Sequence, residues 1–402
     1  MEKPIIVDLF SGCGGFGLGA KLAGFDCRVA IDVDKTLQSA YRLNFPTTQV
    51  IQEDIANLNL EQWEILLKRD QQGKMRRPDG IIGGPPCQGF SRIGKRNSED
   101  PRNSLIGHFF RHVKMLKPKF FVMENVEGLL DEGTVDVLMS ELQEISQSQL
   151  SIKERQKQDF PAYKVLEPIL LNASEYGAPT TRTRVIVVGY LADKMDTLSA
   201  SDFLPAADMS RVTVKDAIAD LPEPYKTSRK KDDFAWAKYK PMRGKRISNY
   251  AKKARALPPE GFGNEEAINR LKKSELSGFD ITVHSAKVSA RYAAVPNGKI
   301  DPVSKSTKLD WNGFAPTLRA GTGPDKGSHQ AVRPLHPDVG RVITVREAAR
   351  LQGFPDWFLF HQTKWSSFRM IGNSVSPIIS EFILSTIKKR LEIKIAPKHS
   401  AL

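Results

Sequence analysis

Cysteine is scarce in this chain. Its 402 residues include 3 cysteines, Cys13, Cys27 and Cys87, and no two of them form a C-x-x-C pair. An odd number at these spacings argues against a disulfide framework or a cysteine zinc site, so no metal site is predicted. Cys13 and Cys27 are interpreted as packing residues, whereas Cys87 needs its own explanation.

Long apolar runs are missing as well. No run approaches the length that a membrane span requires, and the N-terminus lacks the basic, apolar and small-residue order of a secretory signal. We therefore expect a cytoplasmic protein, nucleoid-associated in a bacterium, with no membrane partner. The sequence shows no internal repeat, so a repeat architecture is not expected. Hydrophobic residues make up 40% of the chain, enough for an ordinary core, which excludes a disordered protein.

Negative charge is in the minority. Lys and Arg number 60 against 46 Asp and Glu, a formal net charge of +14. Between Lys215 and Glu275, 16 basic and 9 acidic residues give a net charge of +7. Trp236, Tyr239 and Tyr250 lie among these basic residues, a combination that suits phosphate contacts with base stacking. The alternative is a loop-rich insertion whose charges only keep it soluble.

Short apolar runs alternate with longer amphipathic stretches over the first 190 residues. This order predicts an α/β fold, with a mostly parallel sheet that carries helices on both faces. A last helix near Glu381–Leu391 is predicted to rejoin the sheet. The predicted strands are Ile5–Phe10, Cys27–Val33, Gly80–Ile82, Phe120–Glu124 and Val185–Tyr190, and the other predicted helices are Lys35–Asn44, Leu58–Lys68, Val135–Gln149 and Thr344–Leu351.

A glycine-rich turn from Asp8 to Gly19 follows the first strand and opens a helix. Its glycines permit positive φ and close approach of a ligand, although the spacing is not the dinucleotide-binding pattern and a turn without a ligand is the alternative. Asp32 ends the next strand, where a carboxylate is placed to bind ribose hydroxyls, and Asp34 is placed to cap the following helix. Asp54, at the predicted end of a third strand, is placed to bind an adenine amine. Together these residues predict an adenosine-containing cofactor.

Cys87 lies in the run GGPPCQGFS, which begins at Gly83. The two prolines directly before it stiffen the loop and exclude a regular helix. Its neighbours are glycine, proline, glutamine and serine, unlike the apolar surroundings of a packing cysteine. We therefore predict a nucleophilic thiol, whose ionisation a nearby cation such as Arg92 would favour.

Six segments in order resemble the motifs of the cytosine carbon-5 DNA methyltransferases of prokaryotic restriction-modification systems. The glycine-rich turn resembles the family's cofactor motif, and the run around Cys87 resembles its nucleophile motif. The matches span residues 5 to 380, with one long gap at the basic segment. The other four segments are Glu124-Asn125-Val126; Tyr176-Gly177-Ala178-Pro179 with Arg182 and Arg184; Arg341, Thr344 and Arg346-Glu347 continuing through Ala349-Arg350-Leu351-Gln352 to Phe354-Pro355; and Ile371-Gly372-Asn373-Ser374-Val375.

The resemblance implies a Rossmann-like methyltransferase sheet, with S-adenosylmethionine as cofactor and S-adenosylhomocysteine as product. It implies that Cys87 adds to carbon 6 of cytosine, that Glu124 binds ring nitrogen 3 and the exocyclic amine, and that Arg182 and Arg184 hold the base carbonyl and orient Glu124. Without Cys87, an ordinary ion pair would be the better interpretation of Glu124, and phosphate contacts or surface charges on an edge strand would be the better interpretation of Arg182 and Arg184. The implied cofactor residues are Phe10 at the adenine, Gly12, Gly14 and Gly15 at the methionine end, Asp32 at the ribose, Asp54 at the adenine amine, and Asn373, Ser374 and Val375 near the carboxylate.

Some positions depart from the family's pattern. Val33 stands where an aromatic residue often stacks on adenine, and Thr180 and Met370 stand in place of glutamines. These departures affect the fine geometry of the pockets rather than the bond-making step. Arg346-Glu347 and Arg350 are expected to organise the recognition region structurally. For Phe10, which ends an apolar strand, core packing is the alternative to a cofactor contact.

Three domains or segments are predicted: residues 1–194 as the catalytic and cofactor-binding domain, 195–355 as a smaller, irregular target-recognition domain, and 356–402 as a segment that rejoins the first. The expected partner is double-stranded DNA, from which the target base must be flipped out. A cognate restriction endonuclease encoded nearby is a second candidate partner. The enzyme is expected to be a monomer.

Three alternatives remain open. A tRNA cytosine-5 methyltransferase shares the chemistry, but the nucleophile loop of that branch usually departs from the ending at Gly89–Ser91. A catalytically silent DNA-binding relative has no reason to keep Cys87, Glu124, Arg182 and Arg184 together. A small-molecule methyltransferase would not need the basic segment.

Overall fold

A computed structural model of the chain describes residues 2–68, 73, 75–86, 104–132, 134–226, 233–239, 247–321 and 332–395. The strands within them are β1 (Ile5–Leu9), β2 (Asp26–Asp32), β3 (Gln49–Gln52), β4 (Gly80–Gly83), β5 (Phe120–Asn125), β6 (Lys164–Val165), β7 (Ile169–Asn172), β8 (Thr183–Tyr190), β9 (Ala237–Lys238) and β10 (Glu275–Leu276). The helices are α1 (Gly15–Leu22), α2 (Lys35–Asn44), α3 (Leu60–Leu67), α4 (Ser104–Leu116), α5 (Val135–Ser146), α6 (Ile152–Arg155), α7 (Val214–Ile218), α8 (Asn249–Arg255), α9 (Glu265–Lys272), α10 (Ala286–Ala294), α11 (Val345–Gln352), α12 (Lys364–Asn373) and α13 (Pro377–Ile395).

The described strands form one large mixed sheet of 8 strands, in the order β3-β2-β1-β4-β5-β8-β6, with β7 also paired to β8. The five strands from β3 to β5 run parallel, as the alternation of strands and helices predicts. β6, β7 and β8 instead pair antiparallel at one edge. Because a short loop rather than a crossover helix joins β7 to β8, the chain reverses beside its neighbour. The α/β prediction is confirmed, with an antiparallel edge that the sequence did not reveal.

Several predicted bounds need correction. The third strand ends at Gln52, so Asp54 lies in the loop beyond it. The helix predicted from Leu58 begins two residues later, because Asn59 caps it in a reciprocal capping box with Gln62. The last helix begins at Pro377, four residues before the predicted start. The α2 bounds are confirmed, and Asp34 caps that helix by accepting from the backbone of Thr36 and Leu37 at 3.0 Å each.

The sheet is buried on both faces because alternate side chains of its strands enter two different apolar clusters. On β5, Phe120 and Val122 belong to the cluster that contains residues of α1 and α13. Phe121 and Met123 point the other way, into the cluster that contains residues of α4 and α5. A sheet covered on both sides explains why β5 reads as a continuous apolar run rather than an alternating one.

The C-terminal helix packs closely on α1. A Cβ added at Gly19 would lie 2.4 Å from the backbone nitrogen of Glu381, so only glycine permits this approach. The Ser380 hydroxyl donates to the carbonyl of Phe16 at 2.6 Å. The stretch Lys364–Leu391, which spans α12 and α13, is long and apolar enough to cross a bilayer, but 67% of its most apolar window is buried in the protein. Such burial is typical of a core helix.

Arg350 on α11 ties the late helices to the basic segment. It is fully buried, and it contacts Asp356 at 2.6 Å, Asp220 at 3.1 Å and the carbonyl of Ala217 at 2.8 Å. A buried guanidinium needs this many acceptors to offset its desolvation. The contacts agree with the structural role that the sequence predicts for the late helix motif.

Candidate active site

The carboxyl ends of four parallel strands meet at one edge of the sheet. Leu9 of β1 is aligned with Ile31 of β2 and with Gly83 of β4, and Gly83 is aligned with Met123 of β5. The next residue on each strand therefore lies at the same edge, which is where ligands bind in open α/β sheets. The residues in these positions are Phe10, Asp32, Gly84 and Glu124.

The glycine turn has the backbone conformation that its sequence predicts. Phe10 has φ 54°, Gly12 φ 53° and Gly14 φ 99°. A Cβ at Gly14 would lie 2.5 Å from the Phe45 ring, and one at Gly15 would lie 2.3 Å from the carbonyl oxygen of Val375. Positive φ at Phe10, a non-glycine residue, is a strained conformation of a kind that clusters at functional sites. The turn is therefore shaped by close backbone approach.

A cavity opens beside this turn. Phe10, Gly12 and Gly15 line it from the turn, and Asn373, Ser374 and Val375 line it from the end of α12 and the residues that follow. Six of the predicted cofactor residues thus surround one cavity. Gly14, Asp32 and Asp54 do not line it. The remaining lining residues are Asp8, Ser11, Cys13, Phe16, Leu37, Gly84, Glu124 and Met370.

Asp32 and Asp54 are each held by backbone donors. Asp32 accepts from the backbone N–H groups of Gly12 and Asp34, both at 2.8 Å, and burial raises its pKa. Asp54 is exposed and caps a 3-10 turn by accepting from Ala56 at 2.9 Å. Asp32 therefore fixes the glycine turn as well as standing at the predicted ribose position.

Two buried side-chain oxygens in the cavity lining, Asp8 Oδ1 and the Ser11 hydroxyl oxygen, have no hydrogen-bond partner among the described residues. Asp8 is 1% exposed, and its Oδ1 accepts no hydrogen bond there, while Oδ2 accepts from the Tyr41 hydroxyl at 3.2 Å. The Ser11 hydroxyl is likewise buried and unpartnered in this part of the chain. Burial, opposed by the Tyr41 hydrogen bond, raises the pKa of Asp8 to about 8. Unpaired buried polar groups are costly, so their presence fits a polar ligand in the cavity.

Sequence reasoning did not single out Asp8 or Ser11 as site residues. A signal was available for Asp8, since a carboxylate in an otherwise apolar strand beside a glycine turn is rarely buried without a purpose. Cys13 and Cys27 are buried, as their interpretation as packing residues predicts, and burial raises the pKa of each thiol to about 12. Cys13 also lines the cavity, with its sulfur 2.9 Å from the Ser374 hydroxyl.

The structure brings Glu124, Arg182 and Arg184 together. Arg184 Nε lies 3.1 Å, and Arg182 Nη2 4.0 Å, from Glu124 Oε1. Neither contact has hydrogen-bond geometry, so this buried oxygen accepts no hydrogen bond among the described residues. Burial lowers the pKa of Arg182 to about 9, and the like charge of Arg184 lowers it in the same direction. The negative charge of Glu124 opposes this shift but is outweighed. A charged cluster with spare acceptor and donor capacity suits a polar planar ligand.

A second, smaller cavity adjoins the first. Glu124 and Val375 line both, and Arg182 and Arg184 line only the second. Arg182 also donates to the carbonyl of Gly372 at 3.2 Å, which fixes its guanidinium against the end of α12. Glu124 and Val375 therefore form a wall that the two cavities share.

The predicted nucleophile, Cys87, lies outside the described residues, as does Arg92. The chain that leads to it is described as far as Pro86. The carbonyl of Pro85 accepts from the Asn125 side chain at 3.2 Å, and an added Cβ at Gly84 would lie 3.5 Å from Glu124 Oε2. The loop therefore leaves the sheet directly beside Glu124.

The aromatic residues of the basic segment do not match their predicted role. Tyr239 is 8% exposed, and the Arg255 guanidinium lies 3.6 Å above its ring. Burial raises the pKa of Tyr250, whose hydroxyl donates to the carbonyl of Arg350. Tyr239 is therefore part of the interior rather than free to stack on bases, and Tyr250 is partly buried with its hydroxyl engaged. Trp236 is half-buried and stacks with Arg270 at 4.5 Å. The neighbouring basic residues Lys230, Lys231, Lys240, Arg243, Lys245 and Arg246 lie outside the described residues.

The positions that depart from the family pattern have clear environments. Thr180 is fully buried and its hydroxyl donates to the carbonyl of Pro316 at 3.5 Å. Met370 lines the first cavity, and its carbonyl accepts from the Ser374 hydroxyl at 2.8 Å. Val33 is 66% exposed beside Asp32. Of the three, Met370 lines the first cavity, and none carries a group that could replace Glu124 or the arginines.

Comparison with a family model identifies the chain's relatives. The model of the C-5 cytosine-specific DNA methylases matches residues 5–389. The chain is 40% identical over 401 residues to the type II methyltransferase M.XorII of Xanthomonas oryzae pv. oryzae, covering 98% of this chain and 87% of that protein. It is 31% identical to the type II methyltransferase M.DdeI of Desulfomicrobium norvegicum, covering 95% and 88%.

Solved structures of methyltransferases are also similar to this chain. A crystal structure titled as a DNA modification methyltransferase encoded within an E. coli prophage is 41% identical, with a TM-score of 0.81, and the alignment covers 97% of this chain and 100% of that one. The Dnmt2 methyltransferase of S. pombe is 16% identical, with a TM-score of 0.57 and coverage of 97% and 99%. At that identity the second likeness shows a shared fold alone.

Proposed function

This chain belongs to the C-5 cytosine-specific DNA methylase family and is a DNA cytosine-5 methyltransferase, and on that premise we propose that it transfers a methyl group from S-adenosylmethionine to a flipped-out cytosine through a covalent Cys87 adduct. The observation that carries the proposal is the wall formed by Glu124 and Val375 between two cavities. Six of the predicted cofactor residues line one cavity, and the charged groups for a base line the other. Methyl donor and acceptor would meet at that wall.

The chemistry needs a nucleophile because carbon 5 of cytosine is unreactive. Addition of the Cys87 thiolate to carbon 6 forms an S–C bond and gives the ring enamine character, which makes carbon 5 nucleophilic. When bound, S-adenosylmethionine would provide the electrophilic methyl group for that carbon, with S-adenosylhomocysteine as the leaving product. Loss of the carbon-5 proton to a base then expels Cys87 and restores the aromatic ring.

Glu124 and its arginines supply the recognition and proton transfer. Glu124 Oε1 is buried without a hydrogen-bond donor among the described residues, so it is free to accept from the exocyclic amine of cytosine. A protonated Glu124 would donate to ring nitrogen 3 as Cys87 adds to the ring. Arg182 and Arg184 sit on the same side, and their remaining donors suit the base carbonyl. Thymine, with a carbonyl in place of the amine, would offer Glu124 an acceptor and be rejected.

The first cavity supports the cofactor assignment. We assign Phe10 to the adenine, Gly12, Gly14 and Gly15 to the methionine end, and Asp32 to the ribose. Gly12 lines the cavity, and a Cβ added there meets no atom within 4 Å, which leaves room for a ligand. Asn373, Ser374 and Val375 are assigned to the carboxylate, and Asp54 to the adenine amine from the adjacent loop.

The substrate is proposed to be a specific sequence in double-stranded DNA, with the base flipped out at a cost of a few kcal/mol. Residues 195–355 are proposed as the target-recognition domain, since the excess positive charge lies there. We further propose that the enzyme acts as a monomer in the cytoplasm, paired with a restriction endonuclease encoded nearby. The relatives' description as type II methyltransferases supports that pairing.

The test is methyl transfer from labelled S-adenosylmethionine to duplex DNA and, separately, to tRNA, with the modified nucleosides identified by mass spectrometry. We expect 5-methylcytosine in DNA alone. Label in tRNA alone would overturn the DNA assignment and favour the RNA branch. If neither substrate is labelled over a genomic DNA library while the cofactor still binds, the protein is a silent DNA-binding relative.

A further inference from the structure

Arg369 connects α12 to the strand end that carries Asp32. Its Nη2 donates to the carboxylate of Asp34, and its guanidinium lies 5.7 Å from the centre of the Trp365 ring. The backbone N–H of Asp34 in turn donates to Asp32 Oδ1 at 2.8 Å. Arg369 therefore lies close enough to act electrostatically on Asp32.

Arg369 is not among the residues that line the first cavity, but it shares a helix face with one that does. Asn373, which lines the first cavity, is four residues further along α12, so the two side chains share one helix face. The Arg369 side chain is 29% exposed. Among the described residues its Nε and Nη1 have no hydrogen-bond partner, because the one bond that it makes there uses Nη2. Two donors thus remain available beside Asp32.

A ribose needs both kinds of partner. Each hydroxyl is a donor and an acceptor, whereas an ionised carboxylate can only accept. Asp32 already accepts from two backbone N–H groups, and it can also accept hydrogen bonds from the ribose hydroxyls. As a carboxylate it cannot donate a hydrogen bond to the hydroxyl oxygens. A guanidinium beside that carboxylate supplies the missing donors.

We propose that Arg369 is a ribose-binding residue, which donates from Nε or Nη1 to a hydroxyl oxygen whose proton Asp32 accepts. This rests on the proposed use of S-adenosylmethionine. Asp34 and the Trp365 ring hold the guanidinium in place, so little side-chain freedom is lost on binding. Helix α12 would then contribute two residues of one face to the cofactor, Arg369 at the ribose and Asn373 near the carboxylate.

The experiment compares two ligands by isothermal titration calorimetry: S-adenosylhomocysteine and its analogue with a 2′,3′-dideoxyribose. The proteins are the wild type, Arg369→Met, Arg369→Lys and Asp32→Asn. Arg369→Lys keeps a positive charge near Asp34 but loses the planar set of donors. The matched control is Arg42→Met, which removes an exposed cation from the neighbouring helix α2.

We expect Arg369→Met and Arg369→Lys to weaken binding of S-adenosylhomocysteine by about tenfold, the size of one charge-assisted hydrogen bond. With the dideoxy analogue, both variants should match the wild type, and Arg42→Met should match it with both ligands. Equal losses for the two ligands, or no loss at all, would overturn the proposal and leave Arg369 as a structural anchor for α12. Failure of the wild type to bind S-adenosylhomocysteine would instead overturn the proposed cofactor.

Discussion

The two cavities at the carboxyl edge of the sheet are built from different materials. Backbone atoms shape part of the first, where Gly15 allows a close approach to the carbonyl oxygen of Val375 that a Cβ would block. Charged side chains shape the second, where buried Glu124 and Arg182 lie beside the partly buried Arg184. The first cavity is proposed to bind the cofactor, and the second is proposed to bind the base and transfer protons to it. Substitutions should therefore affect binding in one cavity and the chemical step in the other.

The largest effect is expected at Cys87, because it is the group proposed to form the bond to carbon 6. Cys87→Ser should abolish methyl transfer and leave the affinity for S-adenosylhomocysteine nearly unchanged. The measurement is 5-methylcytosine formation, with cofactor binding determined on the same preparation. DNA containing 5-fluorocytosine, from which a base cannot remove a proton at carbon 5, should trap a covalent complex with the wild type only. Full activity of the variant would disprove the mechanism.

The next largest effect is expected at Glu124. Glu124→Gln keeps the size of the side chain but removes its negative charge and its proton transfer, so kcat should fall by about 10²–10⁴-fold, as for loss of a general acid–base group. Cofactor affinity should change little, although Glu124 lines both cavities. Glu127→Gln, an exposed carboxylate on the same segment, is the control. A loss of cofactor affinity that matches the loss of kcat would contradict the division between the cavities.

Gly15 tests the first cavity. A Cβ there would lie 2.3 Å from the carbonyl oxygen of Val375, so Gly15→Ala should displace the wall and cost about 1–3 kcal/mol in the free energy of unfolding. Affinity for S-adenosylhomocysteine should fall more than kcat at saturating cofactor. Gly107→Ala on α4, where the nearest atom is the end of the flexible Glu141 side chain, is the matched control. If the two variants unfold at the same urea concentration, the close approach at Gly15 has no energetic weight.

The last prediction concerns Asp8 and the dependence of stability on pH. Its raised pKa of about 8, against 3.8 ordinarily, means that the folded protein holds this proton more tightly than the unfolded chain. The stability that the protonated carboxyl contributes is therefore present below pH 4 and is lost as pH rises through 8, at no more than about 1.4 kcal/mol per pH unit. The Asn side chain of Asp8→Asn stays neutral at every pH. The free energy of unfolding of this variant, measured in urea, should therefore rise relative to that of the wild type between pH 5 and 8. Parallel curves would show that burial does not perturb Asp8.

Local patterns in the sequence predicted much of the candidate site. Asp34 caps α2 as expected, because a capping bond spans only two or three residues. Phe10, Asp32 and Glu124 reach one edge because each ends a parallel strand, a consequence of topology that alternating strands and helices already indicate. Tyr239 does not have the stacking role predicted for it, since nothing local shows that its ring would be buried beneath Arg255.

The sequence by itself determined which chemical groups are available: the glycine turn, the stiff loop before Cys87, and the acid and arginines that follow it. Only the tertiary structure decided how they are combined. Cys13 meets Ser374 across 361 residues, and Arg369 meets Asp34 across 335. Contacts at such separations have no local signature, because they depend on how α12 and α13 pack against the sheet. That packing gives the two cavities a common wall and leaves Arg369 beside Asp32.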